Sequence, residues 1–536
     1  MPERNTTLFY RTEDLAPEEV LDYYVETPGD AAIIDALVSR TPVVLRGSRG
    51  VGKSFLLRVA EAEMRDRFEI DRVLPVYVTF SRAALLQQTE AGFLPWMTGR
   101  ISTAIKRTLT TYNLTLPRDS SLIALTGATN RTAPADLDEA IVHQYEAFWE
   151  EQGQIADAGL LPDSDQLREA VEDLCVELNI RRINLLVDEA AHVFVPEQQR
   201  QFFTLMRDLR SPRLAVKAAV YPGVTSYGPS FQPTHDATLV DVERSITDVD
   251  YATSMRDIVL RQVDDNSGEA RAIKQYGEAF DVLSYAAMGN PRVLLKTYAE
   301  SRPFNRARAQ ETIRNYFRED VWSEHSSLGE RYPGHRDLVD WGRSFLEREV
   351  LPALHARNEG ATEASSAIWV HRDAPQAARS ALNLLCYSGL LQEGVSGIRA
   401  TRSELGTRYI VNVGCNIAQD AEPVQYGSQL RDSFSIKRMT EFGANHPAFK
   451  RLNQRDLIQD NDLRHTALQH RLEQPASILD LTPWQKRKLK ELKLSTIGDV
   501  LEAKESLFRT LYYVGDVRAR QIRNAAVTAV IEYLSG

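Results

Sequence analysis

Cysteine is scarce: three in 536 residues, Cys175, Cys386 and Cys415, each standing alone with neither a CxxC pair nor a His cluster nearby. That argues against a disulfide framework and a zinc site and leaves all three as small core residues. No apolar run reaches the about 18 residues of a membrane-spanning helix. The opening MPERNTTLFYRTEDL lacks the basic start and apolar stretch of a secretory signal. A cytoplasmic protein with no membrane partner is expected. No repeat with a period of about 20–50 residues and no low-complexity tract occurs, which disfavours solenoids and propellers. Basic charge is also in deficit, with 64 Lys and Arg against 74 Asp and Glu, a net −10. Such a chain is not coated with nucleic acid over its whole surface, although its charge is unevenly spread.

What is present is ordinary globular composition, 43% hydrophobic and 26% charged, at a length that suits about three or four domains. Pro42 to Arg46, Val73 to Phe80, Ile183 to Val187 and Leu214 to Tyr221 are apolar runs separated by helical periodicity. Strands buried on both faces and alternating with helices imply a mostly parallel sheet. Directly after the first run, Gly47-Ser48-Arg49-Gly50-Val51-Gly52-Lys53-Ser54 fits G-x-x-x-x-G-K-[ST], and a helical pattern beginning at Phe55 follows. Glycines let the backbone wrap a phosphate chain, while loop amides and the helix dipole supply positive ends. Lys53 would reach the outer phosphates and Ser54 would ligate magnesium. The run ending in Asp188-Glu189 supplies the second half: Asp188 to hold the magnesium, directly or through water, and Glu189 to polarise the attacking water. Together they predict a nucleoside triphosphate site. The separation of the two motifs leaves room for a helical excursion over about 93–173, whose patches Trp96, Ile101, Ile105 and Tyr145, Phe148, Trp149 are expected as packing surface.

From about Ser230 the pattern becomes helical, with Met255 to Val263, Ala270 to Met288 and Pro291 to Glu300, the last opened by Gly289-Asn290. A small helical lid would read this way. A charged stretch, Asn305 to Arg331, leads to helices Leu338 to His355 and Ala374 to Tyr387. Period-two alternation through Tyr409, Val411 and Val413 follows a turn expected at Ser396-Gly397, and helices followed by a two-stranded wing suggest a winged helix. A polar segment then precedes a last helical unit.

With these motifs placed, residues 26–302 resemble the AAA+ ATPases of the origin-recognition and replication-initiator type. The resemblance implies an ATP- and magnesium-dependent ATPase. It assigns Arg292, in Gly289-Asn290-Pro291-Arg292, to the γ-phosphate; the bland alternative is a surface residue at a helix start. It expects a sensor after the fourth strand, for which Thr225 is chosen, and an arginine from a neighbouring subunit, for which Arg207, Arg210, Arg213 and Arg244 all qualify, unless they are solvated helix-end cations. It also extends to the winged helix. There Gln376, Arg379, Ser380 and Asn383 would face outward with Arg399 and Arg402 on the wing, to meet either DNA or protein.

The last unit looks like tandem helix-hairpin-helix repeats. The second copy keeps Gly515 and Ala519 of the hairpin pattern but has Tyr513 where that pattern has glycine, and Arg518, Arg520 and Arg523 follow. Ten bases and six acids from Leu481 onward make this unit +4, against −14 for the rest. A positive tail on an acidic body suits a tethered module for duplex DNA; a dimerisation bundle is the alternative. The expected fold is therefore multidomain α/β plus α: a P-loop core (1–235), lid (236–304), linker helix and winged helix (305–416), linker (417–480) and helix-hairpin-helix unit (481–536). The expected function is an ATPase acting on or assembling at duplex DNA, as a homo-oligomer or with a protein effector and in contact with the nucleoid. The rival is an ATP-gated switch that binds an effector and has no direct DNA role.

Overall fold

The computed structural model describes residues 8–80, 93–115, 142, 162–190, 196–264, 267–400, 404–450 and 471–535. The chain divides into two units, Met1–Ala309 and Gln310–Gly536.

In the first unit Val43–Arg46 (β1), Val73–Thr79 (β2), Arg182–Asp188 (β3), Leu214–Val220 (β4) and Thr238–Asp241 (β5) form a parallel sheet in the order β2-β3-β4-β1-β5. The period-two geometry of a strand sends Val43 and Leu45 to one face and Val44 to the other. On the first face they meet helices α1 (Asp30–Val38) and α2 (Lys53–Asp66) through Leu37, Leu56, Leu57 and Ala60. On the second, α3 (Phe93–Thr111), α4 (Ser164–Glu177) and α5 (Pro196–Asp208) contribute Trp96, Leu174, Phe202 and Phe203. The order places β4 between the strand that feeds the glycine-rich loop and the strand that carries the two acids. Both motifs therefore emerge at the carboxyl edge of the sheet, where open α/β sheets bind ligands.

Three polar side chains in the buried strands have a structural reason. Lys217, fully buried in β4, donates to the carbonyls of Ala36 at 3.1 Å and Ser39 at 2.8 Å, and to that of Thr41. Asn184 reaches the carbonyls of Leu37 and Val38, and Arg182 that of Val38 at 2.6 Å. The last turn of a helix leaves carbonyls without intrahelical partners; here three strand residues satisfy those of α1.

The lid comprises α6 (Tyr251–Leu260), α7 (Gly268–Gln275), α8 (Gly277–Ala287) and α9 (Pro291–Glu300). The single helix expected over Ala270 to Met288 is thus two, broken at Tyr276. Tyr251 ties the lid internally, its hydroxyl donating to Ser284 O at 2.7 Å and accepting from Gly289 N at 2.8 Å.

The stretch expected to be merely charged is itself helical, continuing from Arg306–Asn315 through a π turn at Tyr316–Asp320 into Val321–Arg331. Its apolar residues, Phe317 and Trp322 among them, are buried, while the charges lie outside. A further helical run covers Arg336–Asn358. A four-stranded sheet follows in the order β7-β8-β6-β9, built from β6 (Ala367–His371), β7 (Leu391–Arg399), β8 (Leu405–Val411) and β9 (Thr440–Phe442). Two expectations change here. Ser396-Gly397 is not the hairpin turn but an irregularity within β7, and the hairpin closes where Ala400 N meets Glu404 O at 2.9 Å. The expected linker 417–480 contains the helix Pro423–Ser433 and β9, which pairs with β6. Within that polar stretch the apolar side chains Val424, Leu430 and Phe442 are buried.

At the carboxy-terminal end, Pro483–Glu491 and Ile497–Glu502 each open with a capping box, Thr482 with Gln485 and Thr496 with Asp499. They pack with Glu505–Phe508 and the long helix Asp516–Ser535 around Leu489, Val500, Phe508, Ile522 and Ala526. The patch Tyr145, Phe148, Trp149 and the wing residue Arg402 lie outside the described residues.

Candidate nucleotide-binding site

The loop Gly47–Ser54 joins β1 to α2 through two left-handed glycines, Gly50 at φ 87° and Gly52 at φ 101°. A side chain at Gly50 would be strained twice over, because a Cβ there would lie 2.8 Å from Asn290 Oδ1 and 3.0 Å from Arg292 Cβ. Gly47 is as confined, its Cβ position 2.7 Å from the buried Val51. Lys53 points back into the loop, donating to the carbonyls of Gly47 at 2.6 Å and Ser48 at 2.9 Å, with its ammonium 4.1 Å from the centre of the Tyr221 ring. Burial lowers its pKa from 10.5 to about 7, against the pull of Asp188.

Asp188, at the end of β3, is 4% exposed and accepts from Tyr77 Oη at 2.6 Å and from Glu189 N at 2.9 Å. The guanidinium of Arg58 lies 3.4 Å from the centre of the Tyr77 ring and braces the tyrosine from α2. Glu189 follows at φ 55°, a left-handed conformation that costs a non-glycine residue and that clusters at functional positions. Burial first, then the neighbouring Asp188 and Glu13, raise its carboxyl pKa to about 7.

Lys53 and Glu189 border a cavity of about 330 Å³, within the usual range for small-molecule sites, while the buried Asp188 is not among its lining residues. Its floor is Arg49, Gly50, Gly52, Lys53, Ser54 and Phe55, and Glu189 and Tyr221 stand at the strand ends. The lid adds Pro291, Arg292 and Leu295. Asn290 caps α9 by accepting from Val293 N and donates to Arg49 O at 2.8 Å, so one side chain fixes the lid helix to the phosphate loop. Arg244, Ile258 and Gln262 line it as well, and a further wall comes from the amino-terminal arm, which the motifs did not reveal: Phe9, Tyr10, Glu13, Tyr23 and Tyr24 all line the cavity. Phe9 pairs its backbone with Gln262 of the lid, and Tyr10 O accepts from Arg292 Nε at 3.2 Å. Four aromatics in an otherwise polar stretch of sequence were the available signal.

Residues 5–107, which span both the arm and the phosphate loop, match the ORC-CDC6-like family model. The chain resembles an AAA+ ATPase of the ORC/Cdc6 type. No curated protein matches it. Among solved structures it is similar to the Walker-type ATPase PABY2304 of Pyrococcus abyssi, with 13% identity over 80% of this chain and 99% of that one and a TM-score of 0.39. It is also similar to the Aeropyrum pernix ORC1 protein in complex with DNA (12% identity, 78% and 94% covered, TM-score 0.33). The Aeropyrum pernix ORC2 protein in its ADPNP-ADP complexes is comparable (12% identity, 76% and 94% covered, TM-score 0.35). At such scores these likenesses carry no weight beside the sheet order and the geometry of the cavity.

The other residues that the ORC/Cdc6 resemblance singled out are placed less simply. Thr225 donates to Tyr221 O at 2.6 Å, holding the turn after β4, and does not border the cavity; Tyr221 does. Of the four arginines considered for a neighbouring site, Arg244 is an internal brace. It is 10% exposed, donates to Val51 O at 2.8 Å and Thr27 Oγ1 at 3.0 Å, and pairs with the buried Asp30. Arg213 donates to Ile180 O and Arg207 to Ser230 O, while Arg210 is exposed.

The face of Gln376–Tyr387 expected to read DNA is half-buried, and the helix Asp516–Ser535 packs against Gln376–Tyr387. Arg379 there donates to Gln376 Oε1 at 2.7 Å, and burial lowers its pKa. Arg520 donates to Asp373 O at 2.9 Å, and Arg523 buries its Nε. Arg399 on β7, Gly515 and Arg518 remain exposed. Asp516 is the first residue of the last helix and pairs with Arg509 at 3.0 Å.

Proposed function

We propose that the chain binds and hydrolyses ATP and that its nucleotide state controls its assembly or its partner contacts on duplex DNA. The observation that carries this reading is the convergence of Lys53, Ser54, Glu189 and Arg292 on one cavity at the carboxyl edge of the sheet. Lys53 and the loop amides would bind the phosphates, and Arg292 would approach the terminal one from the lid. Phe9, Tyr23, Tyr24 and Phe55 offer aromatic walls for the base. The hydroxyl of Ser54 and the carboxylate of Asp188, whose oxygens each retain acceptor capacity, are hard oxygen donors and fit magnesium, which prefers few protein ligands beside phosphates and water. The metal, when bound, would neutralise charge on the phosphates. Glu189, with its pKa near 7, suits a general base working at neutral pH.

DNA contact rests on the carboxy-terminal unit, where Arg487, Lys490, Lys493 and Arg518 are exposed. The alternative is an ATP-gated switch holding a protein effector. It is favoured by the half-buried face of Gln376–Tyr387, which leaves little for a groove to read. Phosphate release measured with and without duplex decides between them: stimulation by DNA supports the first reading, and turnover indifferent to DNA supports the second. Deleting Leu481–Gly536 should remove the stimulation and leave basal turnover intact.

A further inference from the structure

The hairpin between Glu505–Phe508 and Asp516–Ser535 carries a solvent-facing aromatic patch. Tyr512 is 77% and Tyr513 70% exposed, with Leu507 and Val517 beside them in the chain at 39% and 50%. The two rings meet edge to face at 4.4 Å, so they do not stack on one another and each keeps a face available. Tyr513 is held in the left-handed region at φ 64°, where glycine would be unstrained. Its carbonyl accepts from Arg518 Nη1 at 2.7 Å, and that guanidinium lies 5.3 Å from the centre of the Trp484 ring. The backbone is therefore pinned in the conformation that projects the ring outward. At the start of the last helix Asp516 pairs with Arg509, which puts a carboxylate where the helix amides would otherwise meet a phosphate.

We propose that this tip stacks unpaired nucleobases, so that the carboxy-terminal unit prefers single-stranded or distorted nucleic acid to a closed duplex. Two exposed rings amid a net positive unit are the components of a single-strand platform: cations track the backbone while aromatic faces take successive bases. A protein partner would not need the unit's excess of Lys and Arg. The inference rests on the nucleic-acid reading above and sharpens it.

Fluorescence anisotropy on the full chain tests it with three labelled probes: an oligothymidine of about 16 nucleotides, an abasic strand of the same length and a blunt duplex. The oligothymidine should bind about tenfold or more tightly than the abasic strand, since each base stacked on a ring contributes about 5- to 150-fold. Tyr512→Ala combined with Tyr513→Gly should erase that difference, while Tyr512→Phe with Tyr513→Phe should keep it. Tyr513→Gly relaxes the left-handed backbone, so an undiminished melting temperature separates loss of stacking from loss of fold. Equal binding of the two strands, or a preference that survives the double variant, overturns the inference. If duplex is still bound in that case, the DNA reading stands. Failure to bind any of the three probes overturns both and assigns the patch to a protein.

Discussion

Lys53 offers the sharpest quantitative consequence of the site. Its ammonium is buried against loop carbonyls, and in the protein alone its pKa is lowered from 10.5 to about 7. Triphosphate bound in the loop adds negative charge beside it and raises that value again. The sign follows. The group has the lower pKa before binding, so above pH about 7 binding must take up a proton; affinity is complete below that pH and is lost as pH rises through it. The expected slope is about one log unit of Kd per pH unit, or about 1.4 kcal/mol. The terminal phosphate, with its second pKa at about 6, does not mask this above pH about 7.5. Glu189 titrates in the same window, and Glu189→Gln removes its contribution. Calorimetry of ATP binding to that variant at pH about 8.5, in two buffers of different ionisation enthalpy, should show uptake of about one proton per nucleotide. Equal heats in the two buffers, with an affinity that is flat above neutrality, would refute the burial argument.

Gly50→Ala should abolish nucleotide binding without unfolding the chain, because its Cβ would collide with Asn290 and Arg292 where the lid meets the loop; retention of nucleotide on a filter would count against that contact. Arg244→Ala should cost about 3–5 kcal/mol of stability by leaving the buried Asp30 carboxylate without its cation, held by Thr27 alone, and mixing it with Glu189→Gln protein should restore no turnover; restoration would make it a residue acting in trans. Burial holds His325 and His335 neutral, with pKa values of about 4. The unfolded chain protonates first, near 6.5, so stability is present above that pH and falls as pH drops toward 4, by about 2 kcal/mol per histidine between pH about 7 and 5. Urea titrations of the wild type and of His325→Gln at the two pH values should show the variant losing less.

Spacing alone made the phosphate loop and the acidic pair legible, since G-x-x-x-x-G-K-S and a strand ending in Asp188-Glu189 name their own chemistry. The core strands were legible because they are buried on both faces and read as apolar runs. Where burial is partial the reading failed. β5 is four residues long and at most half-buried, so it had no apolar run to notice. Val424, Leu430 and Phe442 were too sparse to mark a folded segment. Ser396-Gly397 has the chemistry of a turn, yet Gly397 at φ 77° serves an irregular strand. Long-range contacts were beyond any local pattern: no spacing rule announces that Tyr77 would bond Asp188, that Arg244 would brace Val51 or that the arm would wall the cavity. The same is true of the last helix packing against Gln376–Tyr387.

Glu189 is the residue on which hydrolysis at this site depends most directly. Phosphate release and ATP retention should be measured together on the wild type, Glu189→Gln and Lys53→Ala. The wild type should hydrolyse ATP, Glu189→Gln should retain it while turnover falls by about two orders of magnitude or more, and Lys53→Ala should fail to retain it. Hydrolysis by Glu189→Gln at the wild-type rate, or no retention of ATP by the wild type, would contradict the site.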